Sequence, residues 1–218
     1  MGSGSSARRV SLDSATRLLV SALVISVFLS ACTSVPMSVA PTNTASASQT
    51  LATQFSLSGR FSAKTTAEQV SGQFRYTQKD AERTLNLFSP LGTPLADIVA
   101  TRDSATLTQA GGSTQTAASL AALLRTVIDL PVTDAMMSAW LQGLPSTPNV
   151  AIGKSAERDA TGLLTRFTEG GWNIEISARM EAGQGGQSKA NAPRRMRWSL
   201  ASVADTEVRW AIDEWSTP

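Results

Sequence analysis

From Phe55 onward the sequence alternates, and that period of two is what most restricts the fold. Phe55, Leu57, Gly59 and Phe61 fall on one side of an extended chain, with Ser56, Ser58 and Arg60 on the other. Successive side chains of a strand point to opposite faces, so alternation marks a strand with one buried face. The pattern returns over Gln69–Tyr76, with Phe74 and Tyr76 on one face, and over Thr84–Phe88, with Leu85 and Leu87 on one face. It recurs in Leu95–Ala100, Ala105–Gln109 and Gly162–Phe167. Later runs carry Trp172, Ile174 and Ile176, then Met196, Trp198 and Leu200, then Val208, Trp210 and Ile212. Lys79-Asp80-Ala81-Glu82, Arg102-Asp103-Ser104 and Glu169-Gly170-Gly171 read as the turns between them. Short strands at regular spacing predict a mainly β, antiparallel meander that curls into a barrel or half-barrel of ten or eleven strands.

Two short helices interrupt the strands. Gly111-Gly112-Ser113 closes the first run of strands. Leu120, Leu123, Leu124, Val127 and Ile128 then lie at helical spacing on one face, and Pro131 stops the helix. Thr133 or Asp134 can cap a second helix with Met136, Met137, Trp140 and Leu141 on one face, ended by Gly143 and Pro145. Such a pair would cover one mouth or face of the sheet.

The start of the chain reads as a leader rather than as fold. Arg8, Arg9 and Arg17 precede the apolar run Leu18–Leu29, and small residues lead to Leu29-Ser30-Ala31-Cys32. A basic head, a short apolar core and a small-residue cleavage site make a secretory signal peptide over residues 1–31. The run is too short for a membrane-spanning helix, which needs roughly 20 residues. Leu-Ser-Ala-Cys resembles the lipobox of bacterial lipoproteins, in which the cysteine thiol takes a diacylglycerol and the freed amine is acylated. Cys32 is the one cysteine of the chain, so no internal disulfide can form. Several acyl chains on Cys32 would anchor the protein stably. Thr33 stands where Asp retains enterobacterial lipoproteins in the inner membrane, which favours the outer membrane by the same resemblance. Residues 32–50, rich in Ser, Thr, Ala and Pro and without charge, read as a flexible tether, and 51–218 as one domain.

Charge and residue types narrow the function. The leader holds Arg8, Arg9, Arg17 and Asp13, so the rest of the chain carries 16 basic and 16 acidic residues. A neutral domain argues against nucleic acid as a partner. Without a single histidine, no Ser-His-Asp or Cys-His catalysis is available. With its one cysteine committed to lipid, the chain has no His/Cys ligand set for zinc. Asp80 with Glu82 and Asp213 with Glu214 are paired carboxylates, but they lie among surface charges. The composition implies neither an enzyme, nor a cofactor, nor a metal.

What the sequence does hold is a large apolar face: Phe74, Tyr76, Leu85, Leu87, Trp172, Ile174, Ile176, Met196, Trp198, Trp210 and Ile212, with Met136, Met137 and Trp140 on the second helix. Each alone fits a packed core. Together they fit a cavity, since a half-barrel of this size can enclose one apolar ligand, with methionines as an adaptable lid. Pro90-Leu91-Gly92 adds a turn with a leucine at its tip, because Pro fixes one turn position and Gly supplies positive φ at another.

These pieces, in order, resemble the LolB family. The resemblance rests on the lipobox at Cys32, Gly59-Arg60-Phe61, Tyr76-Thr77-Gln78, Leu85–Gly92, Leu130-Pro131-Val132, Trp140-Leu141-Gln142-Gly143-Leu144-Pro145, Gly171-Trp172 and Trp215. It spans residues 55–215, and Tyr76 departs from a Trp common in the family. The resemblance implies an open antiparallel β half-barrel of about eleven strands whose helical lid encloses a hydrophobic cavity. It also implies a monomer, lipid-anchored in the outer membrane and facing the periplasm. That protein would accept acylated lipoproteins from the periplasmic carrier LolA and insert them into the inner leaflet without nucleotide. Leu91, between Pro90 and Gly92, would be the residue needed for membrane insertion. The rival readings are a soluble carrier of the same fold, a lipocalin-like lipid-transfer lipoprotein, and a structural lipoprotein of an assembly machine.

Overall fold

The computed structural model describes residues 50–66, 68–147, 156–181, 190–203 and 205–217. Cys32, the expected leader and all but the last residue of the expected tether lie outside these residues. Eleven strands form one antiparallel sheet: β1 (Gln54–Lys64), β2 (Gln69–Lys79), β3 (Glu82–Phe88), β4 (Pro94–Ala100), β5 (Ala105–Gln109), β6 (Thr114–Ala117), β7 (Glu157–Arg158), β8 (Leu164–Glu169), β9 (Trp172–Arg179), β10 (Pro193–Leu200) and β11 (Glu207–Ser216). Two helices, α1 (Leu120–Ile128) and α2 (Asp134–Leu141), sit between β6 and β7. The strand order is β6-β5-β4-β3-β2-β1-β11-β10-β9-β8-β7, so the sheet is open, with β6 and β7 as its edges. The mainly β fold, with an open sheet of eleven strands and two short helices, is the one expected.

The alternation in the sequence becomes the two faces of the sheet. Leu57 pairs with Trp215 and Tyr76, Phe61 with Trp210, and Tyr76 with Leu85, all pointing inward. On the outer face Arg60 and Asp213 lie 3.3 Å apart, and Arg197 and Glu207 2.9 Å apart. Two inner-face glycines let the sheet coil. A Cβ on Gly59 would come within 2.1 Å of the Ala211 carbonyl oxygen, and one on Gly72 within 2.1 Å of the Phe88 carbonyl oxygen. The register also slips between Ser58 and Gly59, a bulge that bends β1 against β11.

Three details differ from the sequence reading. The first run of strands continues past Gly111-Gly112-Ser113 into β6, whose residues Thr114, Gln115 and Thr116 are exposed and carry no large apolar group. The strand before Gly170 begins at Leu164, because Gly162 has φ +83 and closes the turn from Asp159. Helix α1 ends before Pro131: Asp129 adopts the left-handed conformation and its N–H bonds back to the Arg125 carbonyl.

Candidate functional site

Helix α1 begins at Ser119, whose hydroxyl accepts the Ala122 N–H at 3.1 Å. Its apolar stripe then faces β4, β5 and β6. It does not fill the space it covers. Between α1 and the sheet lies a cavity of about 380 Å³, walled by Phe61, Leu87, Leu95, Leu107, Leu124 and Val127. Among the described residues no charged side chain lines it, and Gln109 is its single polar side chain beside aliphatic, aromatic and glycine neighbours. The volume is within the roughly 300–1,000 Å³ usual for a small-molecule site. Leu95 is 40% exposed and Val127 37%, so both stand at the mouth. A groove of about 560 Å³ is larger, but Arg60, Glu175, Arg195, Arg197 and Arg209 line it beside Phe61, Met196 and Trp210, and Arg60 and Arg197 are ion-paired and half-exposed. Paired, solvated charge makes that groove a poor host for an apolar ligand.

The β3–β4 turn stands at the same end of the sheet. Ala96 pairs with Gln109, and the Ala110 N–H donates to the Leu95 carbonyl at 2.9 Å, so the start of β4 adjoins the end of β5 and the cavity mouth. In the turn, the Gly92 N–H donates to the Ser89 carbonyl at 2.9 Å with Gly92 at φ +86. The Thr93 N–H donates to Ser89 Oγ at 3.1 Å, and Gln73 Nε2 to the Pro90 carbonyl at 3.0 Å. These bonds hold the backbone of the turn while leaving Leu91 95% exposed.

Beside the cavity the core is aromatic. Phe61, in the cavity wall, meets Phe74 and Trp210 with ring centroids 6.4 and 6.1 Å away. Trp210 meets Trp198 at 5.1 Å, Trp198 meets Trp140 at 5.3 Å, and Trp140 meets Trp172 at 6.1 Å. Of the residues assigned to an acyl cavity from sequence, Leu87 is in the cavity wall. Phe74, Tyr76, Leu85, Met137, Trp140, Trp172, Ile174, Ile176, Met196, Trp198, Trp210 and Ile212 are buried in the adjoining core. Met136 is half-buried and rests on Gly170, where a Cβ would meet its Cε at 2.5 Å. The sequence reading gave the wall residues on α1 a face of the sheet to cover, but did not name them as site residues. Leu95 and Leu107 were seen only as parts of short strands.

Hydrogen bonds fix α2 and its flanks. Glu169, the one buried acid among the described residues, accepts Trp140 Nε1 at 2.6 Å, the Ser146 N–H at 2.9 Å and Ser146 Oγ at 2.7 Å. It also accepts the Thr147 N–H at 3.1 Å and Thr147 Oγ1 at 3.0 Å. Burial pushes its carboxyl up, but these donors outweigh burial and hold it below the ordinary carboxylate value. Gln142 takes the Ala52 N–H at 2.7 Å and returns a bond to the Ala52 carbonyl at 3.1 Å, which ties the entry of β1 to the end of α2. Trp172 Nε1 donates to the Pro131 carbonyl at 3.1 Å. Asp134 Oδ1 takes the Ala121 N–H of α1 at 2.7 Å while its Oδ2 lies 3.5 Å from Arg83. Near that pair, the buried Tyr76 hydroxyl donates to Gln78 at 2.9 Å, and burial raises its pKa.

Trp172 therefore links the two sequence motifs, bonding to Pro131 of Leu130-Pro131-Val132 and packing on Trp140 of Trp140–Pro145. Residues 53–215 match the model of the family described as outer membrane lipoprotein LolB. The chain belongs to the LolB family of outer-membrane lipoproteins. It is 31% identical over 204 residues to the outer-membrane lipoprotein LolB of Cupriavidus metallidurans, covering 90% of this chain and 95% of that one. It is 30% identical over 209 residues to the LolB of Cupriavidus taiwanensis, covering 93% and 98%. It is 27% identical over 182 residues to the LolB of Thiobacillus denitrificans, covering 82% and 89%. LolB membership implies a lipoprotein receptor of the outer membrane and a role in protein transport without catalysis.

Proposed function

We propose that this LolB protein receives the acyl chains of lipoproteins carried by LolA in the cavity under α1 and passes them to the inner leaflet of the outer membrane. The observation that carries the reading is an uncharged apolar cavity whose mouth adjoins an exposed leucine turn. Each methylene that enters contributes ~0.8 kcal/mol, so a long acyl chain is held without any polar code. Phe61 joins the cavity to the aromatic core, and Phe74, Tyr76, Trp198 and Trp210 supply the surface against which a longer chain repacks. The methionines of α2 adapt to its shape. A lipid on Cys32, joined to the domain through residues 32–50, holds the protein at the membrane after removal of residues 1–31.

Leu91 is the delivery element. Burying one leucine is worth only ~1.5–3 kcal/mol, too little to anchor a protein but enough to bring the cavity mouth to the leaflet. Leu91→Asp is expected to leave the fold and the uptake of cargo from LolA unchanged and to cut delivery into liposomes at least tenfold. Delivery at the wild-type rate would remove Leu91 from the mechanism.

A further inference from the structure

The groove over β1, β9, β10 and β11 holds more guanidinium than its carboxylates pair off. Arg60, Arg195, Arg197 and Arg209 line it with the acid Glu175 and the hydroxyls of Ser62 and Ser177. Its acids are already engaged: Asp213 by Arg60 at 3.3 Å, and Glu207 by Arg197 at 2.9 Å and by Arg209. Glu175 is held by Arg166 at 2.8 Å, with Arg197 at 3.9 Å. Arg195 is exposed and has no hydrogen bond or ion pair among the described residues. The strand register sets these cations around a small floor. Ala211 is the cross-strand partner of Arg60 on one side and of Arg195 on the other. Adjacent strands stand about 4.8 Å apart, so the Arg60 and Arg195 backbones are about 10 Å apart with a methyl group between them. Two long side chains can close on one anion there, and Arg197 and its partner Arg209 stand two residues along the same strands. The neighbouring ion pairs are half-exposed, and pairs of that kind exchange readily.

We infer that this groove binds the phosphate of an anionic lipid headgroup, with Arg195 as its main ligand and Arg60, Arg197 and Arg209 beside it. A guanidinium fork matches two oxygens of a phosphate. The register also ties the groove to the Leu91 turn, and here the inference takes from the proposed function that Leu91 meets the leaflet. Gln73 is the partner of Arg60 on β2, and its Nε2 donates to the Pro90 carbonyl at 3.0 Å. Gln73 also pairs with Phe88, and Leu91 stands three residues farther on, at most about 10 Å past that row. The headgroup layer is about 5–8 Å thick on each side of a bilayer. A leucine that touches the acyl boundary therefore holds the arginine row near the level of the phosphates. One unpaired cation over a methyl floor suits a single compact anion better than a run of acidic side chains. A free phosphate lacks the second contact that Leu91 gives a lipid surface.

The test places the full, lipid-anchored protein in phosphatidylcholine vesicles that carry one of two photoreactive lipids. One is phosphatidylglycerol with a diazirine on its headgroup. The other is a galactosyl diacylglycerol with the same diazirine and no phosphate. Labelled peptides are then quantified by mass spectrometry. Residues 195–211 are expected to take about fivefold more label from the phospholipid, while the turn around Leu91 takes equal label from both. Arg195→Ala should remove most of that excess and Arg195→Lys, which keeps the charge but not the fork, should retain part of it. Arg75→Ala, which removes an exposed arginine outside the groove, should leave it intact. Unchanged label on the Leu91 turn reports that each variant still folds and docks. Equal label from the two lipids in the groove, or an excess that survives Arg195→Ala, overturns the site. Excess inorganic phosphate is expected to leave the labelling in place; if it abolishes it, the groove takes free phosphate and the lipid assignment falls. No phospholipid excess, together with weaker retention of LolA by the Arg195→Ala protein, overturns it in favour of an acidic protein surface. A labelled groove beside an unlabelled turn removes Leu91 from the leaflet and leaves the groove assignment standing, whereas no label on either overturns both.

Discussion

Glu169 is a carboxylate held by five donors in a protein whose other described acids reach the surface. Its folded pKa lies below the ordinary glutamate value of 4.5, and this fixes the sign of a pH effect. A depressed carboxylate contributes stability that is fully present above its unfolded pKa and is lost as pH falls through its folded pKa. The urea midpoint of the protein is expected to drop as pH falls below about 4.5. Glu169→Gln should lower stability by about 1–3 kcal/mol at neutral pH, because an amide N–H₂ then faces donors, and should flatten the acid dependence. A variant with the wild-type acid profile would show that other groups carry it. Glu169 was legible in the sequence only as a turn residue before Gly170-Gly171. Its five donors lie 22–29 residues earlier in the chain, and no local pattern brings them together. Leu91 was the opposite case, since its exposure follows from the two residues beside it.

The two helices are held differently. α2 is tied at both flanks, through Glu169, Gln142 and Pro131. α1 is tied at its N-terminus, where Asp134 takes the Ala121 N–H and Ser119 the Ala122 N–H. Among the described residues, no side-chain hydrogen bond joins residues 125–130 of its C-terminal half to the sheet, and Val127 and Ile128 there line the cavity. α1 is thus fastened by side-chain hydrogen bonds at one end, through Asp134 and Ser119, and by apolar packing along the rest. Asp134→Ala should speed amide exchange across Leu120–Ile128 about tenfold and leave α2 unchanged. Equal acceleration of both helices would mean that they move as one lid. Both helices and nine of the strands were legible from periodicity. The edge strands β6 and β7 were not, because edges can be short and polar and neither carries an apolar alternation.

As a whole the molecule places an apolar cavity, its mouth and an exposed leucine at one end of a sheet whose outer face carries paired charge. The fold was readable because alternation sets which face is buried. The cavity was readable only as a class of space. Large side chains on one face fit a packed core and a pocket equally well, and the choice is made by how α1 sits. The aromatic residues chosen from sequence all sit beside the cavity rather than around it, since the tryptophans fill their own volume while the smaller aliphatic residues of β4, β5 and α1 leave room. The central claim is that this space takes acyl chains from the carrier by affinity alone. The most direct measurement mixes the purified protein with LolA loaded with an acylated lipoprotein, without ATP, and follows the cargo by co-isolation. The account predicts that most of the cargo leaves LolA for this protein, and that filling the cavity mouth with Val127→Trp slows the transfer. Cargo that stays on LolA, or moves only when nucleotide is added, would contradict it.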